Sequence, residues 1–200
     1  MSDRQEVDIK RLREDLLGVD LSGGDLDSGT AVGETEIDSV TGLLTRTFCD
    51  AVMIQQYKHM KRRGDELFAI VMIDLDEFKF INDTYGHPIG DDVLKAWGSS
   101  VLGRFREADI KGRFGGDEII IMMTDYKSKA DKQPQDEEKI IYKDLVKKAR
   151  EILSQGEKTK DIPPEQIEAS VGMAVWDGEE SLKEVIDRAD KLLYVQKQAK

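Results

Sequence analysis

The sequence predicts an α/β or α+β domain, and three features carry that reading. From Val40 onward, helical and strand-like segments alternate, which points to a layered fold. Leu67 to Ile73 is an unbroken run of seven apolar residues, far short of the ~20 a membrane span needs and right for a strand buried on both faces. Gly115-Gly116 lies between two further short strand candidates, as a hairpin turn would.

Each element has its own local cause. A helix is expected around Thr47 to Arg63, followed by a strand, Leu67 to Leu75, that runs into Asp74 and Asp76. Asn82 to Gly90 is polar, contains Gly86, Pro88 and Gly90, and reads as a loop. Asp91 then opens a helix whose Val93, Leu94, Trp97, Val101 and Phe105 share one face. Ile110 to Phe114 and Ile119 to Met123 pair about the two glycines, which tolerate positive φ at both central positions of a tight turn. A charged stretch, Tyr126 to Glu138, precedes a helix from about Ile140 to Leu153. A loop through Pro163-Pro164 leads to a strand, Ile167 to Val175, and a last helix, Leu182 to Lys197.

Two hundred residues, 39% apolar and 36% charged, suit one domain with a tail. The tail is residues 1–37, with Ile9, Leu12, Leu16 and Leu17 at helical spacing and then a Gly-, Ser- and Asp-rich linker; the compact domain is 38–200. Met1 to Asp38 holds 11 acidic and 4 basic residues, net −7, leaving net −4 for the rest of a chain whose total is −11. That sign disfavours nucleic-acid and membrane partners. The polar N-terminus lacks the apolar stretch of a secretory signal, so a cytoplasmic protein is expected. One cysteine, Cys49, and two histidines exclude an ordinary zinc site, so any metal must be held by oxygen.

The chemistry centres on Asp74, at the end of a buried strand, and Asp117-Glu118, at the base of the hairpin. Buried carboxylates are costly singly, so acids at neighbouring strand ends suggest a cation between them, although surface acids at strand ends are also common. Mg²⁺ would reconcile an acidic protein with an anionic nucleotide, since it joins one or two carboxylates to phosphate oxygens.

Five segments, read together, sharpen this. They are DSVTGLLTR (Asp38 to Arg46), DLDEFKFINDTYGH (Asp74 to His87) with Gly90-Asp91, RFGGDEI (Arg113 to Ile119), SVGMA (Ser170 to Ala174) and ADKLLYVQK (Ala189 to Lys197). In this order they resemble the GGDEF family of diguanylate cyclases over about Asp38 to Lys197. The resemblance implies a palm-like fold with a central, mostly antiparallel five-stranded sheet wrapped by helices. It implies a homodimer that condenses two GTP into cyclic di-GMP and two pyrophosphates, with Mg²⁺ or Mn²⁺ as cofactor.

Residue by residue, the resemblance implies that Asp74, the Leu75 carbonyl, Asp117 and Glu118 hold the metal, and that Asp117 or Glu118 takes the 3′-hydroxyl proton. Lys79 and Lys197 would meet the triphosphate or the transition state, with the backbone N–H groups of Glu77 and Phe78 cradling phosphate. Asn82 and Asp91 would read guanine, with His87 nearby; a helix N-cap is the competing role for Asp91. Gly115 and Gly116 would keep the nucleotide's approach clear. Arg106 and Asp109 match R-x-x-D, a site that binds product and inhibits; a plain surface pair is the alternative.

The chain departs from the family pattern at Ile119, which replaces the final Phe of GGDEF, and at Val40 and Thr45 in the lead-in. Lys200 stands where the family has Gly, and the sequence stops before a triphosphate-binding Arg, which implies a truncated chain or weaker phosphate affinity. A silent GGDEF domain serving as a cyclic di-GMP receptor is the rival reading, but it predicts damaged metal acids, and Asp74, Asp117 and Glu118 are all present.

Overall fold

A computed structural model describes residues 36–63, 67–126 and 133–200. The helix and linker expected within the acidic tail fall on residues 1–35 and lie outside the described residues.

Among the described residues, five helices and four strands follow in the order α1 (Arg46–Arg63), β1 (Ala69–Leu75), α2 (Phe78–Tyr85), α3 (His87–Arg104), β2 (Ile110–Arg113), β3 (Glu118–Met123), α4 (Pro134–Gln155), β4 (Ala169–Val175) and α5 (Leu182–Gln198). A 3₁₀ turn, Pro164–Gln166, precedes β4. The sheet order is β2-β3-β1-β4, antiparallel throughout. Every residue of β1 is buried, as its unbroken apolar run requires at the centre of a covered sheet.

Strand alternation sorts the core into two layers. Val71, Ile73, Ile121, Val171 and Met173 pack with Val93, Leu94 and Trp97 of α3 and Ile141, Leu145 and Ala149 of α4. Ile70, Met72, Ile120, Met122 and Ala174 pack with Cys49, Val52 and Met53 of α1 and Val185, Ala189 and Leu193 of α5. Helices therefore cover both faces of the sheet. Burial of Cys49 pushes its thiol up to about 12, which leaves it a packing residue rather than a nucleophile.

Three expectations need correction. Among the described residues the sheet has four strands, not five. Beyond β2 the lead-in adds only an isolated bridge, Leu44 to Gly112, with hydrogen bonds from Leu44 N to the Lys111 carbonyl and from Arg113 N to the Leu44 carbonyl. The loop expected over Asn82 to Gly90 is instead the end of α2 and the first turn of α3. Gly86, at φ 87°, stops one helix, and Pro88 stands in the first turn of the next, where its missing N–H costs nothing. Asp91 thus lies inside α3 and is not its N-cap.

The third correction concerns the hairpin. Neither Gly115 nor Gly116 has positive φ, because the connection is a four-residue loop, Phe114 to Asp117, rather than a two-residue turn. It closes with Phe114 N donating to the Glu118 carbonyl at 2.7 Å. At Gly115 a Cβ would lie 3.1 Å from the carboxyl carbon of Glu118, a side-chain end that can move aside.

Candidate active site

The site lies where β1 ends and β3 and β4 begin. Asp74 is opposite both Glu118 and Ser170 in the sheet register. The parity that points Ile70 and Met72 at α5 carries Asp74 to the same face. There Lys197 Nζ, from the last turn of α5, sits 2.6 Å from Asp74 Oδ1. Burial pushes the Asp74 carboxyl up; Lys197 pulls against that, and the negative charges of Asp117 and Glu118 reinforce it. A buried acid beside two further acids is the electrostatic setting that a cation relieves.

One cavity of about 860 Å³ gathers Asp74, Leu75, Asp117, Lys79, Lys197 and the start of α2. Glu77 and Phe78 also line it, and Glu77 holds left-handed backbone, φ 54°, at the N-cap of α2. That strained residue turns the chain directly from β1 into a helix, so the free N–H groups of the first turn fall at the end of the strand that carries Asp74. Glu118 does not line the cavity. No cluster of three His, Cys, Asp or Glu suited to a metal occurs among the described residues. Two carboxylates and a carbonyl nevertheless match the sparse protein ligation of Mg²⁺, which takes its remaining oxygens from water and phosphate.

The lead-in braces the hairpin from the side. Arg113 donates to both Asp38 oxygens at 3.1 Å and to the Gly116 carbonyl from Nε and Nη2, at 3.2 and 2.6 Å. Arg46 Nη1 donates to the Phe114 carbonyl at 3.3 Å, with its guanidinium 4.3 Å from the Phe114 ring centroid. Burial works against ionised Asp38, but hydrogen bonds from Thr41 and the charge of Arg113 hold its carboxyl below the usual range. A lowered carboxylate stabilises the fold above its unfolded pKa and loses that contribution as pH falls through its folded pKa. Asp38→Asn is therefore expected to destabilise by about 1–2 kcal/mol at pH 7. The gap to the unmodified protein, read by urea unfolding, closes on acidification through that lowered pKa; a gap independent of pH would show that Asp38 acts by shape alone.

A family model described as diguanylate cyclase, GGDEF domain, matches residues 35–200. The chain belongs to the GGDEF family. It is 32% identical over 171 residues to diguanylate cyclase DosC of Escherichia coli K12, a match covering 82% of this chain and 33% of DosC. It is 33% identical over 162 residues to the cyclic di-GMP phosphodiesterase NbdA of Pseudomonas aeruginosa, covering 80% of this chain and 19% of NbdA. The chain thus spans a third or less of these relatives. The crystal structure of the GGDEF domain of DgcB from Caulobacter crescentus in complex with c-di-GMP superposes with a TM-score of 0.66 at 23% identity, over 85% of this chain and 94% of that one.

The other expected residues of this GGDEF domain form two groups outside the cavity. Asn82, at the end of α2, packs on Gly90, where a Cβ would lie 3.0 Å from its Cγ and closer still to Oδ1. The absent side chain at Gly90 thus brings Asn82 beside exposed Asp91, with His87 exposed at the start of the same helix. Arg106 and Asp109 lie on the turn between α3 and β2, not on a helix end. The Asp109 side chain is only 2% exposed and accepts from Arg106 N at 2.9 Å and Thr124 N at 3.1 Å. Arg106 has 55% of its side chain exposed, and its Nη2 donates to the Thr124 carbonyl and to Asp109 Oδ1.

Sequence reasoning missed Asp76, Glu168 and Lys200, which share the cavity with Asp74. Lys200 pairs with Asp76 Oδ2 and donates to the Ala169 carbonyl at 2.7 Å. The signal was available: Asp74 and Asp76 are two apart on a strand end, and Lys197 and Lys200 are three apart at a helix end.

Proposed function

We propose that this GGDEF domain is a diguanylate cyclase, condensing two GTP into cyclic di-GMP and two pyrophosphates across a homodimer. The observation that carries the reading is the convergence of Asp74, Asp117, Lys79, Lys197 and the N-terminal turn of α2 on one cavity. Phosphoryl transfer depends chiefly on alignment and on neutralising charge, and these groups supply both.

Asp74, Asp117 and the Leu75 carbonyl would hold Mg²⁺ or Mn²⁺, with Glu118 at the margin. The ion, when bound, would neutralise charge on the phosphate oxygens. The N–H groups of Glu77 and Phe78 cradle phosphate at the helix terminus. Lys79 and Lys197 place ammonium groups beside the phosphates and, in the transition state, beside the departing pyrophosphate. Asn82 and Asp91 read the guanine edge, Asp91 accepting from N1–H and N2–H. Asp117 or Glu118 takes the proton of the 3′-hydroxyl as its oxygen bonds to the α-phosphorus of the facing GTP. The α–β bridge then breaks and releases pyrophosphate. Each domain carries one nucleotide, so two must meet face to face for the double transfer.

The test is incubation with GTP and Mg²⁺ over a range of protein concentrations, with products identified by mass. Cyclic di-GMP formed with specific activity rising with concentration supports the reading. No product, with tight cyclic di-GMP binding, would make the domain a receptor instead.

Product inhibition belongs to the same proposal. Arg106 offers an exposed guanidinium for a guanine of the product, and buried Asp109 orients it from below. Arg106→Ala is expected to raise the cyclic di-GMP concentration for half-inhibition by roughly tenfold or more. An unchanged value would remove Arg106 from the site.

A further inference from the structure

The end of β1 and the end of α5 hold an arrangement that phosphate binding alone does not require. Two acids two residues apart each carry a lysine from one short stretch: Lys197 on Asp74, and Lys200 on Asp76. The two pairs differ in their surroundings. Lys200 also bonds the Ala169 carbonyl, and Asp76 also accepts from Ser170 Oγ at 2.8 Å, so this pair fastens the helix end to β1 and β4. The Asp74 side chain is 9% exposed, with Lys197 as its ammonium partner and Asp117 and Glu118 adding negative charge from the hairpin.

We propose that Lys197 is an exchangeable internal cation, which occupies Asp74 in the metal-free protein and leaves it only when a metal arrives together with a triphosphate. The inference rests on the reading of Asp74 as a metal ligand. An ammonium and a divalent ion cannot both sit against the same carboxylate oxygen, so a metal that takes Asp74 Oδ1 must displace Lys197 from it. Without nucleotide, the withdrawn ammonium is left with carboxylates that already have cations, Asp76 with Lys200 and Glu168 with Arg150, and lies close to a doubly charged ion, which opposes binding. With nucleotide, the triphosphate accepts it. Lys200 is a positioning residue: anchored on Asp76 and the Ala169 carbonyl, it keeps the helix end in place so that Lys197 moves by its side chain alone. Metal and nucleotide should therefore bind with strong mutual cooperativity, and free metal should bind poorly.

Mn²⁺ titrated into the nucleotide-free protein, with free Mn²⁺ followed by electron paramagnetic resonance, tests this without reference to turnover. Lys197→Met is expected to bind Mn²⁺ alone about tenfold more tightly than the unmodified protein, a coupling of ordinary size for linked sites. Lys197→Arg, which keeps the charge, should stay near the unmodified value, and thermal melts of both variants check folding. Equal or weaker Mn²⁺ binding by Lys197→Met overturns the exchange. Asp74→Asn separates this from failure of the metal assignment. If that variant still binds Mn²⁺ with a non-hydrolysable GTP analogue as well as the unmodified protein does, Asp74 is not a ligand and the inference falls with it. If Asp74→Asn loses that binding while Lys197→Met leaves Mn²⁺ affinity unchanged, only the exchange fails.

Discussion

Asp117→Ala is expected to lower cyclic di-GMP formation by about 10³-fold or more, because it removes a carboxylate from the group proposed to hold the metal and one candidate acceptor of the 3′-hydroxyl proton. Stability should move the other way or not at all. Asp117 is one of the negative charges that push Asp74 up, so deleting it relieves repulsion at the end of β1. The hairpin does not depend on it, since the loop is closed by backbone bonds from Phe114 N and Gly115 N to the Glu118 carbonyl and braced by Arg113 and Arg46. Initial rates with GTP and Mg²⁺, taken beside urea unfolding, make the comparison. Full turnover in the variant would show that Asp117 takes no part in the chemistry; loss of both activity and stability would make its role structural.

Gly172→Ala should cost about 2–3 kcal/mol and lower the melting temperature by roughly 5–10 °C. A Cβ at this position in β4 would lie 2.8 Å from Leu193 Cα, and closer to the Ala189 carbonyl oxygen and Leu193 N. These are backbone atoms of a helix, which cannot yield as a side-chain end would, so α5 must lift from the sheet. Lys197 is one turn beyond Leu193, and its 2.6 Å reach to Asp74 depends on how closely α5 lies on β4. A displacement of about 1 Å at reacting groups can cost on the order of 10²-fold. The expected variant is thus both less stable and at least that much poorer in kcat/KM for GTP, even well below its melting point. Normal kinetics in the folded variant would show that Lys197 tolerates movement of its helix.

Much of this architecture was legible because its causes are local. The seven-residue apolar run was short enough to be a strand covered on both faces, and β1, which takes up five of its residues, is buried at every position. The acids at its end, the glycine hairpin and the last helix were placed by periodicity and by the five ordered segments. The α2–α3 junction was legible too, through Gly86 and Pro88, but two helices meeting at one glycine look like a loop when Gly, Pro, Asn and Asp crowd nine residues. The hairpin misled for the opposite reason: Gly-Gly permits a two-residue turn, yet four residues connect the strands.

The sequence by itself determined the class of fold, the strand-end carboxylates and the family. Each follows from residue type and spacing along one stretch of chain. Only the tertiary structure decided which charges meet. Asp38 joins Arg113 across 75 residues, and Lys200 joins Asp76 across 124. Nothing in local spacing measures such distances, because they depend on how closely α5 settles on the sheet over Gly172 and on where the lead-in runs beside β2. Burial decided the rest: Asp109 is enclosed and accepts from its own turn and from Thr124 N, while the half-exposed Arg106 guanidinium bonds back to the Thr124 carbonyl and to Asp109.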